Sequence, residues 1–510
     1  MMCPVADGKH QEGLRLDELA RELPASTDVV GDASVRVTGV RHDSRDVQPG
    51  DLFVARKGET SDGTLFVQDA VRRGAAAVVV ARGAHVGAPP VPVLLVDDTA
   101  TALAYAASAV YGHPSFSLEV VGITGTNGKT TTTHLVRAAV DGALGRPSCG
   151  VLGTVGHSFD GWRVDAEHTT PEADDVARTM AAMRARGATH VAMEVSSHAL
   201  ALGRVRAVRF RVAAFTNLTQ DHLDFHGSMA EYAASKARLF TELGPGAAVL
   251  NVDDAFGRDM VAQVRAPLVR VSARVGADAD VVPLAARVDA GGIHARVRTP
   301  DGELALDSRL VGAHNLENLL LALGIARALD LDLTRAAEAL SREPGAPGRL
   351  ERCDGEDDDV VVLVDYAHTP DALARALDSV RAVTGGRVWC VFGCGGDRDR
   401  AKRAPMGEAV ARRADVAIVS NDNPRTEDPH AIADAVVAGV RAAGKTPIVE
   451  LDRRKAIELA VRSASRGDVV LVAGKGHEDY QIVGTVKRPF DDRIEARRAL
   501  AERHRARGRT

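Results

Sequence analysis

Val120-Val121-Gly122-Ile123-Thr124-Gly125-Thr126-Asn127-Gly128-Lys129-Thr130-Thr131 is the stretch on which the reading of this 510-residue chain turns. An apolar, β-branched run enters Gly-x-x-Gly-Lys-Thr, and a helical pattern follows. Small residues let backbone N–H groups close around phosphate, Lys129 would meet the terminal phosphates, and Thr130 would hold Mg²⁺. The strict phosphate-loop motif places Gly at position 123, where Ile stands, so the general pattern fails by one residue. The strand–turn–helix context supports a phosphate loop nonetheless, against the bland reading of a turn that binds nothing.

The same alternation of strand and helix patterns continues on both sides. Short Val/Ile runs recur at 76–80, 93–96, 191–195, 212–215, 361–364, 388–392, 416–419 and 469–472, with helical patterns between them. Continuous apolar strands separated by helices predict mostly parallel sheets covered on both faces, so the fold class is α/β. Turn-rich clusters at Tyr111–Ser115 and Arg342–Gly348 predict three domains, 1–117, 118–346 and 347–510. The central domain is expected to hold a phosphate-loop-type parallel sheet with flanking helices, and the C-terminal domain to be Rossmann-like. Residues 279–310 alternate as antiparallel strands do. The basic end, Arg503 to Arg509, reads as a solvated helix end and tail.

Composition excludes several classes. The chain is 45% hydrophobic and 26% charged, with a formal net charge of −5. A general nucleic-acid binder would carry a basic excess instead. No apolar run approaches the roughly 18 residues of a membrane span. The N-terminus lacks an apolar stretch typical of a secretory signal. Cys3, Cys149, Cys353, Cys390 and Cys394 are odd in number and scattered. They make a poor disulfide framework, and no second thiol pair completes a zinc site. A reduced, cytoplasmic protein is expected, with a monomer favoured.

Two further segments carry chemistry in the middle domain. Met193-Glu194-Val195-Ser196-Ser197-His198 closes one strand, and Asn217–Gly227, which contains Asp221, His222 and His226, follows another. Ligands in α/β sheets bind beyond strand C-terminal ends. Carboxylates and imidazoles there suit a divalent ion beside phosphates; helix capping is the alternative. Tyr232–Phe240, with Lys236, reads by itself as an amphipathic helix with surface cations.

The string Gly-Thr-Asn-Gly-Lys-Thr-Thr resembles that of the Mur ligases and the folylpolyglutamate synthetases, whose glycines are shifted in the same way. The likeness to the Mur ligases covers essentially the whole chain, and it implies roles residue by residue. Gly125, Thr126, Asn127, Gly128, Lys129, Thr130 and Thr131 would cradle ATP. Glu194, His222 and Lys236 would hold a second Mg²⁺, with Lys236 carbamylated to N6-carboxylysine, since a carbamate binds a cation that an ammonium repels. Lys129, Lys236, Glu194 and His222 would form the catalytic set. Asn318, in His314-Asn315-Leu316-Glu317-Asn318, would meet adenine, although either Asn could instead cap its helix. Arg349 and Asp365 would reach back to ATP from the third domain, which implies closure on substrate.

The resemblance is most discriminating in the third domain. Gly393–Asp399, Asp422-Asn423-Pro424-Arg425 and Gly474-Lys475-Gly476-His477-Glu478 look like the diaminopimelate-adding branch of the family. Arg398, Asp422, Asn423, Pro424, Arg425, Gly474 and Glu478 would read the head of the incoming amino acid. The guanidinium of Arg425 suits its carboxylate, and Asp and Glu suit its ammonium. Lysine-adding relatives lack this Arg. In the first domain, His42, Ser44, Glu59, Thr60 and Ser61 match positions that contact a UDP moiety. His168, Thr169, Thr170, Ser196 and Arg204 match contacts to the sugar-peptide. The chain departs from the family at His168, where Asn is commoner, at Leu202, where Gln is frequent, and at Ala404-Pro405.

The resemblance thus implies an ATP-dependent, amide-forming ligase of peptidoglycan precursor synthesis. Its substrates would be UDP-MurNAc-L-Ala-D-Glu and meso-diaminopimelate, and an acyl phosphate its intermediate. The alternatives are lysine addition by the same chemistry, against which Arg425 argues, and a nucleotide-switched regulator without ligation.

Overall fold

The structure, a computed structural model, describes residues 13–24, 27–58 and 61–507. They fall into two compact units: residues up to Val282 with Leu320–Ala339, and Pro283–Leu319 with the residues from Leu340 onward.

The first unit contains a two-stranded antiparallel pairing of Leu14–Arg15 with Arg36–Val37 and two larger sheets. The smaller has five strands in the order Asp28–Val30, Val93–Val96, Ala77–Ala81, Asp51–Val54, Gly39–Arg41, parallel except for the first. Its valines and leucines pack on the alanine-rich helices Thr99–Val110 and Ala173–Ala185. Small side chains there let helix and sheet approach closely.

The larger sheet has eight strands. Glu119–Thr124 lies near its centre, parallel to His190–Glu194 on one side and Val212–Phe215 on the other. Register pairs Glu194 with Ile123 and Phe215 with Thr124, so three strand ends finish level. The chain leaves Glu119–Thr124 through helix Lys129–Leu144 toward Cys149–Gly153 on one side and later returns to Val212–Phe215 on the other. That reversal makes the crevice beyond Thr124 the natural ligand position. The central strand is fully buried from Val120 to Ile123, as the apolar run requires.

The second unit holds a three-stranded sheet, Val282–Asp289, Gly292–Thr299 and Gly302–Ser308, with the last two antiparallel. The alternation over 279–310 had indicated such strands. Its larger sheet has six strands in the order Glu351–Arg352, Val361–Asp365, Val469–Ala473, Val388–Phe392, Val416–Val419, Ile448–Val449, parallel except for the first. Helices Pro370–Arg381, Arg403–Ala411 and Pro429–Ala442 cover one face. Arg453–Ser463 and Asp492–Arg507 cover the other. Two-sided burial explains why these strands read as unbroken Val/Ile/Leu runs.

The expected solvated basic end is corrected at Arg503. Its guanidinium donates to the carbonyls of Val461 and Ala464, each at 2.7 Å, and pairs with Asp359 at 2.9 Å. It thereby satisfies the open carbonyls at the end of helix Arg453–Ser463.

Candidate active site

In the first unit a cleft of about 560 Å³ is lined by His42, Asp43, Ser44, Arg45, Arg56 and Ser61, among others, and by Glu172. His42 Nδ1 lies 2.9 Å from Asp174, and its backbone N–H donates to the same carboxylate at 3.2 Å. Burial alone would lower the imidazole, but the hydrogen bond and charge of Asp174, with Asp175 and Glu172 nearby, raise it to about 9. The ring is therefore a cation at neutral pH. Among the described residues His42, Asp174 and Asp175 form the one group of three metal-capable side chains within 4.8 Å. His42 and Asp174 stand as an ion pair within this group.

Glu172 connects this cleft to a polar network. It pairs with Arg56 and, at 2.8 Å, with Arg204. Arg204 also donates to the Thr170 carbonyl at 3.0 Å. The Thr170 hydroxyl donates to the Glu194 carbonyl at 2.8 Å and accepts from the Ser196 N–H at 3.0 Å. Thr169 accepts from Thr154 Oγ1 at 3.0 Å. Thr169, Thr170, Ser196 and Arg204 are thus joined to the strand end that carries Glu194, while His168 is exposed.

The phosphate loop is stapled to the segment after Val212–Phe215. Thr126 N–H donates to the Asn217 carbonyl at 2.8 Å, Asn127 N–H to Asn217 Oδ1 at 3.0 Å, and Thr216 Oγ1 to the Asn127 carbonyl at 2.6 Å. Gly125 has φ +149, and a Cβ there would sit 1.8 Å from Thr216 Oγ1. Only glycine fits. Lys129 Nζ donates to the carbonyls of Gly125 and Thr126, each at 2.8 Å. Gly128 is left-handed at φ 86 and starts helix Lys129–Leu144, with Thr130 and Thr131 buried in its first turn.

Glu194 and Lys236 both converge on this loop. Glu194 is buried; it accepts from Thr130 Oγ1 at 2.9 Å and from Thr154 N–H at 2.7 Å. Lys236 is 1% exposed, and its Nζ donates to the Gly125 carbonyl at 2.9 Å. Burial, reinforced by the Lys129 charge and only partly offset by Asp221, holds this amine well below the usual lysine value. The helix is amphipathic as its pattern indicates, with Arg238 partly exposed, but the expectation of surface cations is corrected at Lys236, which points inward. Its Nζ lies 4.3 Å from the Tyr232 ring centroid, and that ring is 6.2 Å from the ring of His222. His222 is left-handed at φ 52 and stands half exposed.

The second unit carries the remaining groups. Asn318 Nδ2 donates to Asn315 Oδ1 at 3.1 Å, and Asn315 donates to the Val311 carbonyl at 2.8 Å. Asp365 accepts from Leu350 N–H and Ala367 N–H, each at 2.8 Å. Burial raises its carboxyl, opposed by Arg349 and those two donors. The Arg349 guanidinium lies 5.1 Å from the Tyr366 ring centroid, and its buried Nε has no hydrogen-bond partner.

A largely buried polar cluster lies beyond the ends of strands Val388–Phe392, Val416–Val419 and Val469–Ala473. Asn423 Nδ2 and Lys475 Nζ both donate to Glu478 Oε2, each at 3.0 Å. Asn423 Oδ1 accepts from Lys475 Nζ at 3.2 Å and Ile482 N–H at 2.9 Å. Arg425 is left-handed at φ 52 and donates through Nη1 to the Gly396 carbonyl at 2.8 Å. A Cβ on Gly474 would sit 2.6 Å from Asp422 Oδ2, so the bare backbone admits this carboxylate. Arg398 is exposed on the preceding loop.

Three family profiles match this chain: "Mur ligase family, catalytic domain" over residues 36–111, "Mur ligase middle domain" over 123–326, and "Mur ligase, glutamate ligase domain" over 348–476. A UDP-N-acetylmuramoyl-L-alanyl-D-glutamate–2,6-diaminopimelate ligase of Gloeobacter violaceus is 46% identical over 496 residues, 97% of this chain and 99% of its own. The chain belongs to the Mur ligase family. A Streptomyces coelicolor protein of the same name is 44% identical over 495 residues, 95% of this chain and 96% of its own. A solved diaminopimelate ligase structure shares 31% identity at a TM-score of 0.70, covering 96% of this chain and 99% of that one. The α/β, three-domain architecture of the Mur ligases is therefore the fold of this chain.

In this Mur ligase, the first cleft gathers His42, Ser44 and Ser61; Glu59 and Thr60 lie outside the described residues. Sequence reasoning missed Asp174, Glu172 and Arg56, whose partners are up to 132 residues away with no local pattern to mark them. It quoted Lys475 without giving it a role. It also missed the hairpin Tyr480–Val483 with Val486–Pro489, which lays Gln481 on the Asp422 carbonyl at 2.8 Å. Arg453 was missed too. Fully buried with Asp492 at 2.7 Å, it donates to the Ala473 and Asn421 carbonyls and so ties two strand ends together.

Proposed function

We propose that this Mur ligase adds meso-diaminopimelate to the γ-carboxylate of D-Glu in UDP-MurNAc-L-Ala-D-Glu, at the expense of ATP. The observation that carries the amino-acid assignment is Arg425, fixed by its Gly396 bond in the polar cluster that also holds Asn423 and Glu478. Its guanidinium is assigned to a carboxylate of diaminopimelate, and Asp422 and Glu478 to the ammonium of the same head. Asn423, Pro424, Gly474 and Arg398 complete that proposed set.

In the first step, a γ-carboxylate oxygen attacks the γ-phosphorus of ATP. The bond to the bridging oxygen breaks, ADP leaves and an acyl phosphate remains. In the second, the diaminopimelate amine attacks the acyl carbon. The C–N bond forms, the C–O bond to phosphate breaks, and the amine loses its proton. The loop Gly125–Thr131 is assigned to the phosphates of ATP, with the charge of Lys129 on the transferring group. Asn318, Arg349 and Asp365 are assigned to the nucleotide; the unpartnered Nε of Arg349 suits an anion.

The donor set fits Mg²⁺. A hydroxyl (Thr130) and a carboxylate (Glu194) are hard oxygen ligands already in mutual contact. Lys236 as an ammonium would repel the ion. Its burial and the neighbouring Lys129 favour the neutral amine, the form that can take up CO₂. We therefore assign Thr130 to one Mg²⁺, and Glu194, His222 and N6-carboxylated Lys236 to a second. Bound Mg²⁺ would neutralise phosphate charge.

The first cleft is assigned to the UDP moiety through His42, Ser44, Glu59, Thr60 and Ser61. The network of Thr169, Thr170, Ser196 and Arg204, with His168, is assigned to the sugar-peptide. Cys149, Cys353, Cys390 and Cys394 are buried and unbridged, which suits a cytoplasmic enzyme. No helix of the described residues is long and apolar enough to cross a membrane.

The test is product mass and phosphate release with ATP, Mg²⁺ and UDP-MurNAc-L-Ala-D-Glu, with meso-diaminopimelate, L-lysine or no amino acid. Product with diaminopimelate alone is expected. Product with lysine alone would overturn the Arg425 assignment, and bound nucleotide with no product would overturn ligation.

A further inference from the structure

Lys475 is among the largest fully buried side chains of the chain, at 0% exposure. Burying an ammonium is costly unless it is paired and hydrogen-bonded. Here it is both. Nζ lies 3.0 Å from Glu478 Oε2 and 3.2 Å from Asn423 Oδ1, and 5.3 Å from the Tyr480 ring centroid. The amide of Asn423 is fixed at both ends, since Oδ1 accepts from Lys475 and Ile482 N–H while Nδ2 donates to Glu478. Lys475 can only donate, so it forces Asn423 to present its oxygen inward and its NH₂ toward Glu478.

We infer that Lys475 is the positioning residue of the proposed amino-acid site, setting the orientation of Glu478 and Asn423 for an incoming ammonium. The inference rests on the amino-acid reading above. Glu478 can accept from that ammonium only while its carboxylate is held in place. Lys475 Nζ and Asn423 Nδ2 both donate to Oε2, and Tyr480 makes a further side-chain hydrogen bond with the same carboxylate. Lys475 is fully buried, so it acts through the carboxylate and not on the substrate itself. Its position three residues before Glu478, with Gly476 left-handed between them at φ +54, lets the chain turn back so that the pair can form. A Cβ on Gly476 would also lie 2.6 Å from Tyr366 Cβ, so this turn has no room for another residue.

The test compares wild type, Lys475→Met, Glu478→Gln and the double variant for the KM of the amino acid, the KM of ATP and kcat. Lys475→Met is expected to raise the amino-acid KM by about 10- to 100-fold, the loss that follows a charge-assisted hydrogen bond. The KM of ATP should stay within about threefold. Because Lys475 works through Glu478, the double variant should be no worse than Glu478→Gln alone. If Lys475→Met fails to fold, the double variant, which leaves no unpaired carboxylate at this partly buried position, should recover folding. The comparison between Glu478→Gln and the double variant then decides. An unchanged amino-acid KM in Lys475→Met, or single effects that multiply in the double variant, would overturn the inference. Wild type is assayed with diaminopimelate and with lysine, and the variants with whichever it adds. A wrong amino acid therefore shows in the wild-type arm and a wrong role for Lys475 in the variant arm.

Discussion

Replacing His42 by Gln should destabilise the protein at pH 6 and leave it almost unaffected at pH 10. The folded-state imidazole is raised from 6.5 to about 9. That rise corresponds to about 3 kcal/mol. The ring is 31% exposed to the cleft, and solvent screening reduces the expected contribution to about 1–3 kcal/mol. A raised cation stabilises fully below its unfolded value of 6.5, and the benefit disappears as pH climbs through about 9. The groups facing the ring act in the same direction. Asp174 is bonded to it, and Asp175 and Glu172 add charge, while Arg45 and Arg56 of the same cleft are themselves paired with Asp43 and Glu172. Gln keeps a donor for Asp174 but cannot carry charge, so the substitution isolates protonation. Thermal unfolding at pH 6, 8 and 10 is the assay. At roughly 2–4 °C per kcal/mol for a large domain, the variant should melt several degrees low at pH 6 and with the wild type at pH 10. An equal deficit at both pH values would show that shape, not charge, matters at this position. No deficit at pH 6 would show that the pair contributes nothing.

Lys236→Met should lower product formation by at least about 100-fold while nucleotide still binds. Stripping CO₂ from the buffer should slow the wild type until bicarbonate is restored, and unimpaired turnover in the Met variant would remove Lys236 from the metal site. Gly125→Ala forces a Cβ to 1.8 Å from Thr216 Oγ1. A strain of about 2–4 kcal/mol on the loop should weaken nucleotide binding more than tenfold in a fluorescent-nucleotide titration. Gly145→Ala, left-handed at φ +70 but in open space, should leave that binding intact. Arg503→Met uncaps helix Arg453–Ser463 and leaves Asp359 to its pair with Arg507, and should cost about 1–3 kcal/mol in unfolding experiments without changing nucleotide affinity.

Burial on both sheet faces makes the strands legible in the sequence. Val120–Ile123, Val388–Phe392 and Val469–Val472 are apolar without a break because helices cover both sides. The turn from strand Glu119–Thr124 into helix Lys129–Leu144 was legible because Gly125 and Gly128 stand close together in the sequence, and the backbone there admits only glycine or a left-handed residue. Acid–base partners across the fold were not. His42 and Asp174 meet over 132 residues, and nothing local to either announces the other. Lys236 sits on an amphipathic helix whose exposed face would have suited a lysine equally well. Arg503 stood in a basic tail that looks solvated, yet it reaches three carbonyls of another helix's end. Long side chains are the least legible, because their reach places the charge far from the backbone position that the pattern describes.

Backbone strain marks the same places as the chemistry. Seven described non-glycine residues have positive φ: His113, Asp160, His222, Asp330, Leu350, Asp397 and Arg425. His222, Leu350, Asp397 and Arg425 lie in or beside segments assigned to ligands. A left-handed non-glycine residue costs about 1–2 kcal/mol and persists only where neighbours over-determine it. Arg425 is pinned on both sides: its N–H donates to the Ile482 carbonyl at 3.1 Å, and its carbonyl accepts from Gly484 N–H at 2.7 Å. The hairpin holds the strain, and the strain aims the guanidinium. Arg425→Ala and Arg425→Gly remove the same side-chain chemistry, but only glycine relieves the backbone. Both should lose diaminopimelate to the same extent, and the glycine variant should unfold about 1 kcal/mol later than the alanine variant. Equal stability of the two would mean that the left-handed turn is not strained and that the hairpin does nothing to orient Arg425. A glycine variant that is less stable than the alanine one would mean that unfolded-state entropy outweighs the strain.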